Sequence, residues 1–285
     1  MTTPSTEVFE EHRRTLFGIA YRMLGSVADA EDVVQDAWLR WSSVRTEVED
    51  PRAYLARTVT NLALNHLTKA SVQREQYVGP WLPEPLVTEP DPAGDTERAE
   101  SVSLAMLVVM ETLSPLERAV FVLKEVFGYP YAEIAAVLDR SEASVRQVGH
   151  RARSHVQARR PRYAAADEVR EVTERFLAAC LGGDMNQMLE LLAPDVTAWT
   201  DGGGKVQAAL RPLHGADKVA RWLLGVLGRT RGQMQVRFAD VNGQPGVVVL
   251  LDGRPDVVGA LDVTDGRISA LRLVRNPDKL HGVRL

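Results

Sequence analysis

Cysteine is almost absent: Cys180 is the only one in 285 residues. An intrachain disulfide and a cysteine-based zinc site are both excluded. The expected role of Cys180 is a small buried apolar residue on a helix. The six histidines are scattered without metal-ligand spacing, so neither a metal nor another cofactor is expected. No apolar run reaches the length of a membrane span, and no membrane partner is expected. The opening residues, MTTPSTEVFEEHRR, lack the basic and apolar regions of a secretory signal. Together these absences predict a cytoplasmic protein. No internal repeat and no dimerisation heptad is visible. What is there is ordinary globular composition, 45% hydrophobic and 25% charged. The length suits two or three small domains better than one.

The formal net charge is −4, yet Arg140 to Arg162 holds seven arginines and two histidines against one acid, Glu142. This stretch follows Tyr131–Leu138 and the short break Asp139-Arg140. The order is short helix, tight turn, longer basic helix. That is the arrangement by which a helix-turn-helix sets its second helix in the DNA major groove. Ser141 is a good N-cap for that helix. Asp139 stands where many such turns carry glycine, and aspartate tolerates left-handed geometry better than most residues. Val145 and Val148 read as packing. The bland alternative is a solvated basic face with no partner.

Two further helical blocks frame this motif. In the first, Leu16, Phe17, Ala20, Met23 and Leu24 keep helical spacing, as do Val33, Val34, Ala37, Trp38 and Trp41. Asp50-Pro51 opens a third helix with Tyr54, Leu55, Val59, Leu62, Ala63 and Leu67 inward. Residues 76–97 carry five prolines and two glycines and read as a stiff linker. Trp81 and Leu82 within it need a partner surface. The second block holds a helix over Ser101–Leu113. A helix start follows at Ser114-Pro115-Leu116-Glu117, with Ser at the cap, Pro at the first position and Glu at the third.

The remainder changes character. Helices are expected over Asp167–Leu181, Met185–Leu192 and Ala216–Leu227. Strand-like runs follow at Gln233–Asp240, Gly246–Leu251, Val257–Val263 and Ile268–Val274. Asn242-Gly243, Asp252-Gly253 and Asp265-Gly266 separate them as turns. Helices followed by an antiparallel meander predict an α+β domain.

Ala20-Tyr-Arg-Met-Leu-Gly25, Asp29-Ala-Glu-Asp-Val-Val-Gln-Asp-Ala-Trp-Leu-Arg40 and Leu113-Ser-Pro-Leu-Glu-Arg118 through Arg153 resemble extracytoplasmic-function sigma factors. Trp81-Leu-Pro-Glu-Pro85, Asp201-Gly-Gly-Gly-Lys205 and Asn276-Pro-Asp-Lys-Leu280 resemble the signature of a subgroup with a fused SnoaL-like domain. The resemblance implies a multidomain chain: two all-α sigma domains, then an α+β cone. Residues 5–75 would be sigma region 2, 76–97 the linker, 98–162 sigma region 4 and 166–285 the SnoaL-like domain. The implied partners are core RNA polymerase and promoter DNA.

The same resemblance assigns residues. Ser144, Arg146, Gln147, His150 and Arg151 would meet −35 base edges, where Arg pairs with guanine and Gln with adenine. Arg140, Arg153, Arg159 and Arg160 would meet phosphates. Arg57, Thr60, Asn61, Asn65, His66 and Lys69, on the polar side of the third helix, would hold the melted −10 strand. Asp29, Glu31, Asp32, Gln35 and Asp36, beside Trp38 and Leu39, would dock polymerase. For the first two acids the helix dipole is a sufficient bland reason. Trp81, Leu82, Pro83, Asp201, Gly202, Gly203, Gly204, Lys205, Asn276, Pro277, Asp278, Lys279 and Leu280 would be regulatory contacts, the glycines letting another backbone approach.

A cone of this kind can enclose an apolar pocket, so a small-molecule ligand is a further possible partner. Trp199, Asp201, His214, Asp252 and Asp262 are its candidate polar residues. No pair among them has a spacing that specifies acid–base chemistry, so no catalytic residue is expected. Two rival readings stay open: a ligand-sensing helix-turn-helix regulator acting without polymerase, and a SnoaL-like enzyme with a targeting module.

Overall fold

Several helices start where the sequence supplies a cap. The computed structural model describes residues 6–88, 102–159 and 164–283, without the side chains of 69–75. The chain forms two compact units: residues 1–76 with 107–160, and residues 77–106 with 161–285.

In the first unit, α1 (Thr6–Leu24) ends at Gly25, whose φ of +69° suits glycine and whose N–H reaches Tyr21 O at 2.7 Å. Ser26 caps α2 (Val27–Ser42) by accepting from Asp29 N at 3.2 Å. Asp50 caps α3 (Pro51–Glu75) by accepting from Ala53 N at 2.9 Å, with Pro51 at the first helical position. The three helices bury Phe9, Leu16, Ile19, Met23, Val33, Ala37, Leu55 and Val59. Each large apolar side chain so buried stabilises by roughly 1.5–3 kcal/mol. Thr60, expected on the polar side of α3, is instead fully buried. It follows Val59 on the arc that packs inward, and its hydroxyl has no hydrogen-bond partner.

The helix expected over Ser101–Leu113 is shorter: α4 spans Leu104–Met110, and Ser101 lies outside the described residues. Thr112 N and Leu113 N turn back to Val109 O and Met110 O, both at 3.1 Å. The Thr112 hydroxyl also donates to Val109 O at 2.7 Å, so the chain winds tighter and stops before the next cap. There Ser114 and Glu117 form a reciprocal capping box at the start of α5 (Pro115–Phe121). These hydrogen bonds from Ser114 hold the Glu117 carboxyl below the usual range. A π-helical turn, Val122–Val126, prolongs α5. Then come α6 (Tyr131–Leu138) and α7 (Glu142–Gln157).

Arg118 of α5 is buried within this unit. It donates to Met110 O at 2.9 Å, to Met23 O at the end of α1 at 2.6 Å, and to Glu111 at 2.7 Å. The Arg22 guanidinium lies 5.2 Å from the Phe127 ring centre, and Arg52 lies 4.8 Å from that of Tyr129. The two helical sets are therefore joined by a buried cation and by two aromatic residues after the π turn.

In the second unit, α8 (Ala166–Gly182), α9 (Met185–Leu191) and α10 (Ala216–Leu227) pack on one sheet. Its strands are β1 (Val87–Thr88), β2 (Leu192–Asp201), β3 (Leu213–His214), β4 (Met234–Val241), β5 (Gln244–Leu251), β6 (Arg254–Thr264) and β7 (Arg267–Val274). Among the described residues the sheet order is β1-β4-β5-β6-β7-β2-β3. Asn242, Asp252 and Asp265, with the glycine after each, all have positive φ. That is the geometry a two-residue hairpin favours. Phe176, Met188, Val219, Leu261 and Leu271 meet in the core. Burial pushes the Cys180 thiol up to about 12.

Three strands, β1, β2 and β3, lie outside the expected meander. β2 runs parallel to β7, so the sheet is mixed. Its alternation of Val196, Ala198 and Thr200 follows Pro194-Asp195, a signal that the strand-like runs expected from the sequence did not include. β1 lies inside the proline-rich linker and pairs antiparallel with β4, Val87 opposite Val241. Pro83 and Pro85 precede it, and a two-residue edge strand needs few donors.

Candidate functional sites

Helix α7 separates its faces sharply. Val145, Val148, Ala152 and Val156 are buried, and Arg140, Arg146, Gln147, His150 and Arg151 are exposed. Asp139 takes the left-handed conformation, φ +51°, that closes the turn. Ser141 accepts from Ser144 N at 3.3 Å and caps the helix. Ser144 is thus half-buried at the cap, with its backbone engaged. Three of the arginines already touch acids. Arg146 pairs with Glu142 and lies 5.0 Å from the Tyr131 ring centre. Arg151 lies 3.9 Å from Glu117, and Arg153 donates to Glu125 at 2.5 Å. The Glu125 contact raises the Arg153 guanidinium further above its ordinary value. Exposed pairs of this kind contribute little stability and exchange readily. The fork of each arginine is therefore held near the surface and available to a phosphate or a base edge.

Along α2, Glu31, Asp32, Gln35, Asp36 and Leu39 are exposed, and Leu39 keeps 57% of its surface in solvent. Asp29 is half-buried in the first turn. Trp38 is half-buried because its ring meets Phe9 edge-on at 5.1 Å. It stiffens the ridge from which Leu39 projects. On α3, Arg57 and Asn65 are exposed and Asn61 and His66 half-buried. Positions 57, 61 and 65 share a face by their spacing of four. The Lys69 side chain lies outside the described residues.

Among the described residues the densest polar constellation is in the second unit. Asp201 ends β2 with its side chain fully buried. One oxygen accepts from the Tyr77 hydroxyl at 2.5 Å and from Gly203 N at 3.1 Å. The other accepts from Leu82 N at 2.8 Å and from Lys279 Nζ at 2.7 Å. Lys279 also donates to Leu82 O at 2.5 Å and lies 4.3 Å from the Trp81 ring centre. Asn276 donates to the Tyr77 hydroxyl at 2.9 Å and caps the turn Pro277–Lys279 by accepting from Asp278 N at 3.1 Å. Burial first, then the Asp201 carboxylate, pushes the Tyr77 hydroxyl far above its ordinary value. Leu82 and Leu280 are buried, and Pro83 with them. Lys205 pairs with Asp278 at 2.5 Å on the surface.

Two of the three glycines act differently from expectation. A Cβ at Gly202 would stand 2.6 Å from the backbone oxygen of Val206, but the close neighbour of Gly203 is the Asn276 side chain and that of Gly204 is Val78. At Gly203, φ is +60° and an added Cβ would stand 2.4 Å from Asn276 Nδ2. Only glycine admits the asparagine there. Further along, Asn242 and Leu86 exchange backbone and side-chain bonds at 2.8 and 3.1 Å. Residues 77–88 are thus fastened at two places. Sequence reasoning missed Tyr77 and Asn242. The signal for Tyr77 was an aromatic hydroxyl in a proline-rich stretch, and Asn242 was absorbed as a turn residue.

The expected polar residues of the cone do not converge. Asp201 serves the linker, and Asp262 pairs with Arg272 at 2.8 Å beside Trp199. His214 meets Thr197 on the surface, and Asp252 caps Gln233 N at 2.8 Å. None lines the apolar cavity of this unit, whose charged residues are Asp256 and Arg275. Among the described residues no group of three or more His, Cys, Asp or Glu could hold a metal. No described helix is long and apolar enough to cross a membrane.

Comparison with known proteins places these sites in context. The Sigma-70 region 2 family model matches residues 8–72, and the Sigma-70, region 4 model matches residues 103–156. The chain is 42% identical to the ECF RNA polymerase sigma factor SigJ of Mycobacterium tuberculosis, over 96% of this chain and 92% of that one. It is 33% identical to the probable ECF RNA polymerase sigma factor SigI of the same organism, over 99% and 96%. The crystal structure of M. tuberculosis SigJ matches with a TM-score of 0.77 at 38% identity, over 99% of this chain and 100% of that one.

Proposed function

The chain belongs to the extracytoplasmic-function RNA polymerase sigma factors, and on that premise we propose how its parts divide the work of initiation. A sigma factor binds core RNA polymerase and directs it to promoter DNA. Here the 5–75 domain docks polymerase through Asp32, Gln35, Asp36 and Leu39 of α2. The Arg57-Asn61-Asn65 face of α3 holds the opened −10 strand. The 98–162 domain reads −35 DNA through Arg146, Gln147, His150 and Arg151, with Arg140 and Arg153 on phosphates. The domain over 166–285 regulates in cis and is not an enzyme: its candidate polar residues point to separate places. The protein works in the cytoplasm, where polymerase and promoter are.

The observation that carries the regulatory reading is the Asp201–Lys279 latch on residues 77–82. Both partners of the ion pair belong to the 166–285 domain, so release of the linker leaves the pair intact and breaks the bonds of Tyr77 and Leu82 to it, charge-assisted bonds that contribute about 1.5–3 kcal/mol each. These bonds make a two-position fastening. Fastened, the linker is held on the 166–285 domain. Released, it lets the two DNA-reading domains separate to promoter spacing. Loss of one such bond shifts such an equilibrium by about one to two decades.

Run-off transcription with bacterial core polymerase tests this, on a promoter selected from randomised −35 and −10 DNA. Full-length protein and a chain ending near Ala165 are compared. Both should initiate, at different rates. Initiation by neither, with tight binding of the full chain to duplex DNA alone, would replace this account with a polymerase-independent regulator.

A further inference from the structure

The guanidinium of Arg146 is restrained from two directions, although its side chain is 62% exposed. Glu142, one turn earlier on α7, takes one edge of the fork: its Oε1 accepts from Nε at 3.0 Å and from Nη2. Tyr131, the first residue of α6, supplies the second restraint. The guanidinium carbon lies over its ring, 5.0 Å from the centre. An ion pair this exposed exchanges readily by itself. An aromatic ring beneath the same cation, carried by a different helix, narrows the positions it can take. Nη1 makes no hydrogen bond among the described residues, so the end of the fork stays free. That end can meet guanine O6 and N7 together.

The ring has a seat built for it. Arg146 and Gly149 stand three apart and so neighbour each other on one face of α7, and the Tyr131 ring lies against both. A Cβ at Gly149 would stand 3.0 Å from Cε1 and from the hydroxyl oxygen of Tyr131, and 3.3 Å from Val120 Cγ1 of α5. Glycine inside a helix is destabilising relative to alanine. Here the space it leaves holds the tyrosine. From the π-helical turn, Lys124 Nζ lies 4.9 Å from the same ring centre and donates to Tyr129 O at 3.3 Å. The ring is thus fixed from several sides, and it belongs to none of the reading positions.

We propose that Tyr131 is a positioning residue for −35 recognition. Its ring, with Glu142, holds the Arg146 fork aimed at a guanine, so part of the discrimination at one −35 base pair originates outside the recognition helix. This rests on the reading of Arg146 as a base contact. The rival role for a tyrosine here is a hydrogen bond from its own hydroxyl to a DNA phosphate. The two roles differ in outcome. Positioning acts on one base pair and needs the ring, not the hydroxyl. A phosphate bond acts on every sequence alike and needs the hydroxyl.

The test uses holoenzyme made from bacterial core polymerase and the full chain. Its binding is measured by competition on a promoter series in which each −35 base pair is replaced in turn. Arg146→Ala identifies the pair that Arg146 reads, by a loss of about 5- to 150-fold in discrimination there. Tyr131→Leu should lower discrimination at that same pair by about two- to fivefold and leave the other pairs unchanged. Tyr131→Phe should keep the parent's discrimination. With Arg146→Ala already in place, Tyr131→Leu should have no further effect on discrimination. If Tyr131→Leu does not fold, Tyr131→Met, whose flexible chain fills irregular space, takes its place. Unchanged discrimination in the folded Leu or Met variant overturns the positioning role while the −35 reading stands. So does a loss with Tyr131→Phe that is equal at every pair and as large as with Tyr131→Leu. Arg146→Ala without effect at any single pair overturns both.

Discussion

At Asp201 a carboxylate with no solvent exposure holds a lysine, a tyrosine and a backbone amide at once. Asp201→Ala strands the Lys279 ammonium and should cost about 3–5 kcal/mol in urea denaturation. Combining it with Lys279→Met should recover part of that loss, since the second change removes the stranded charge. Tyr77 adds a pH signature. Its folded value is raised above the ordinary 10.0, so the protonated form is favoured in the fold. Its contribution is fully present below about pH 10 and is lost as pH rises through that value towards the raised one. Tyr77→Phe should therefore flatten the alkaline limb of a stability–pH curve. An unchanged limb would mean that the hydroxyl is not held as described. Little of this chemistry was legible beforehand. Asp201 and Lys279 stood out by resemblance alone, since an aspartate followed by three glycines has the composition of a tight turn and does not announce a buried strand end. Burial at a strand end depends on partners far along the chain, which local spacing does not encode.

Among the elements, those with self-contained signals were read well. The capping box at Ser114 and the three Asn- or Asp-Gly turns each carry their cause within four residues, and the helix over Ala216–Leu227 carries its cause in its own apolar spacing. Ser114→Ala should cost about 1 kcal/mol, measured by thermal melting of the chain. At the turn before α7, Asp139 with φ +51° should tolerate glycine. A β-branched residue such as valine should cost about 1–2 kcal/mol there and weaken −35 DNA binding with it. Equal stability of Asp139→Gly and Asp139→Val would contradict the turn geometry. On α7, Arg146→Ala should lose about 1–3 kcal/mol of discrimination at one −35 base pair in a base-substitution binding series. β1, β2 and β3 were missed for a different reason. β1 is two residues long and exists because β4 offers an edge. β2 joins the sheet by a parallel pairing with β7, and its position depends on a contact across the whole domain.

For the whole molecule the question is reach. If free and extended, residues 77–106 span at most roughly 100 Å. Elements centred near −35 and −10 lie about 25 base pairs apart, or roughly 85 Å along straight B-form DNA. The linker can therefore serve the promoter only when little of it is tied down, and the latch together with β1 ties down residues 77–88. On the proposed reading the domain over 166–285 acts as a brake, set by the bonds that hold residues 77–82 to it. Run-off transcription by core polymerase with full-length Lys279→Met against the unmodified chain tests that claim most directly. The account predicts a severalfold faster initiation from the same start site; an unchanged or slower rate would contradict it.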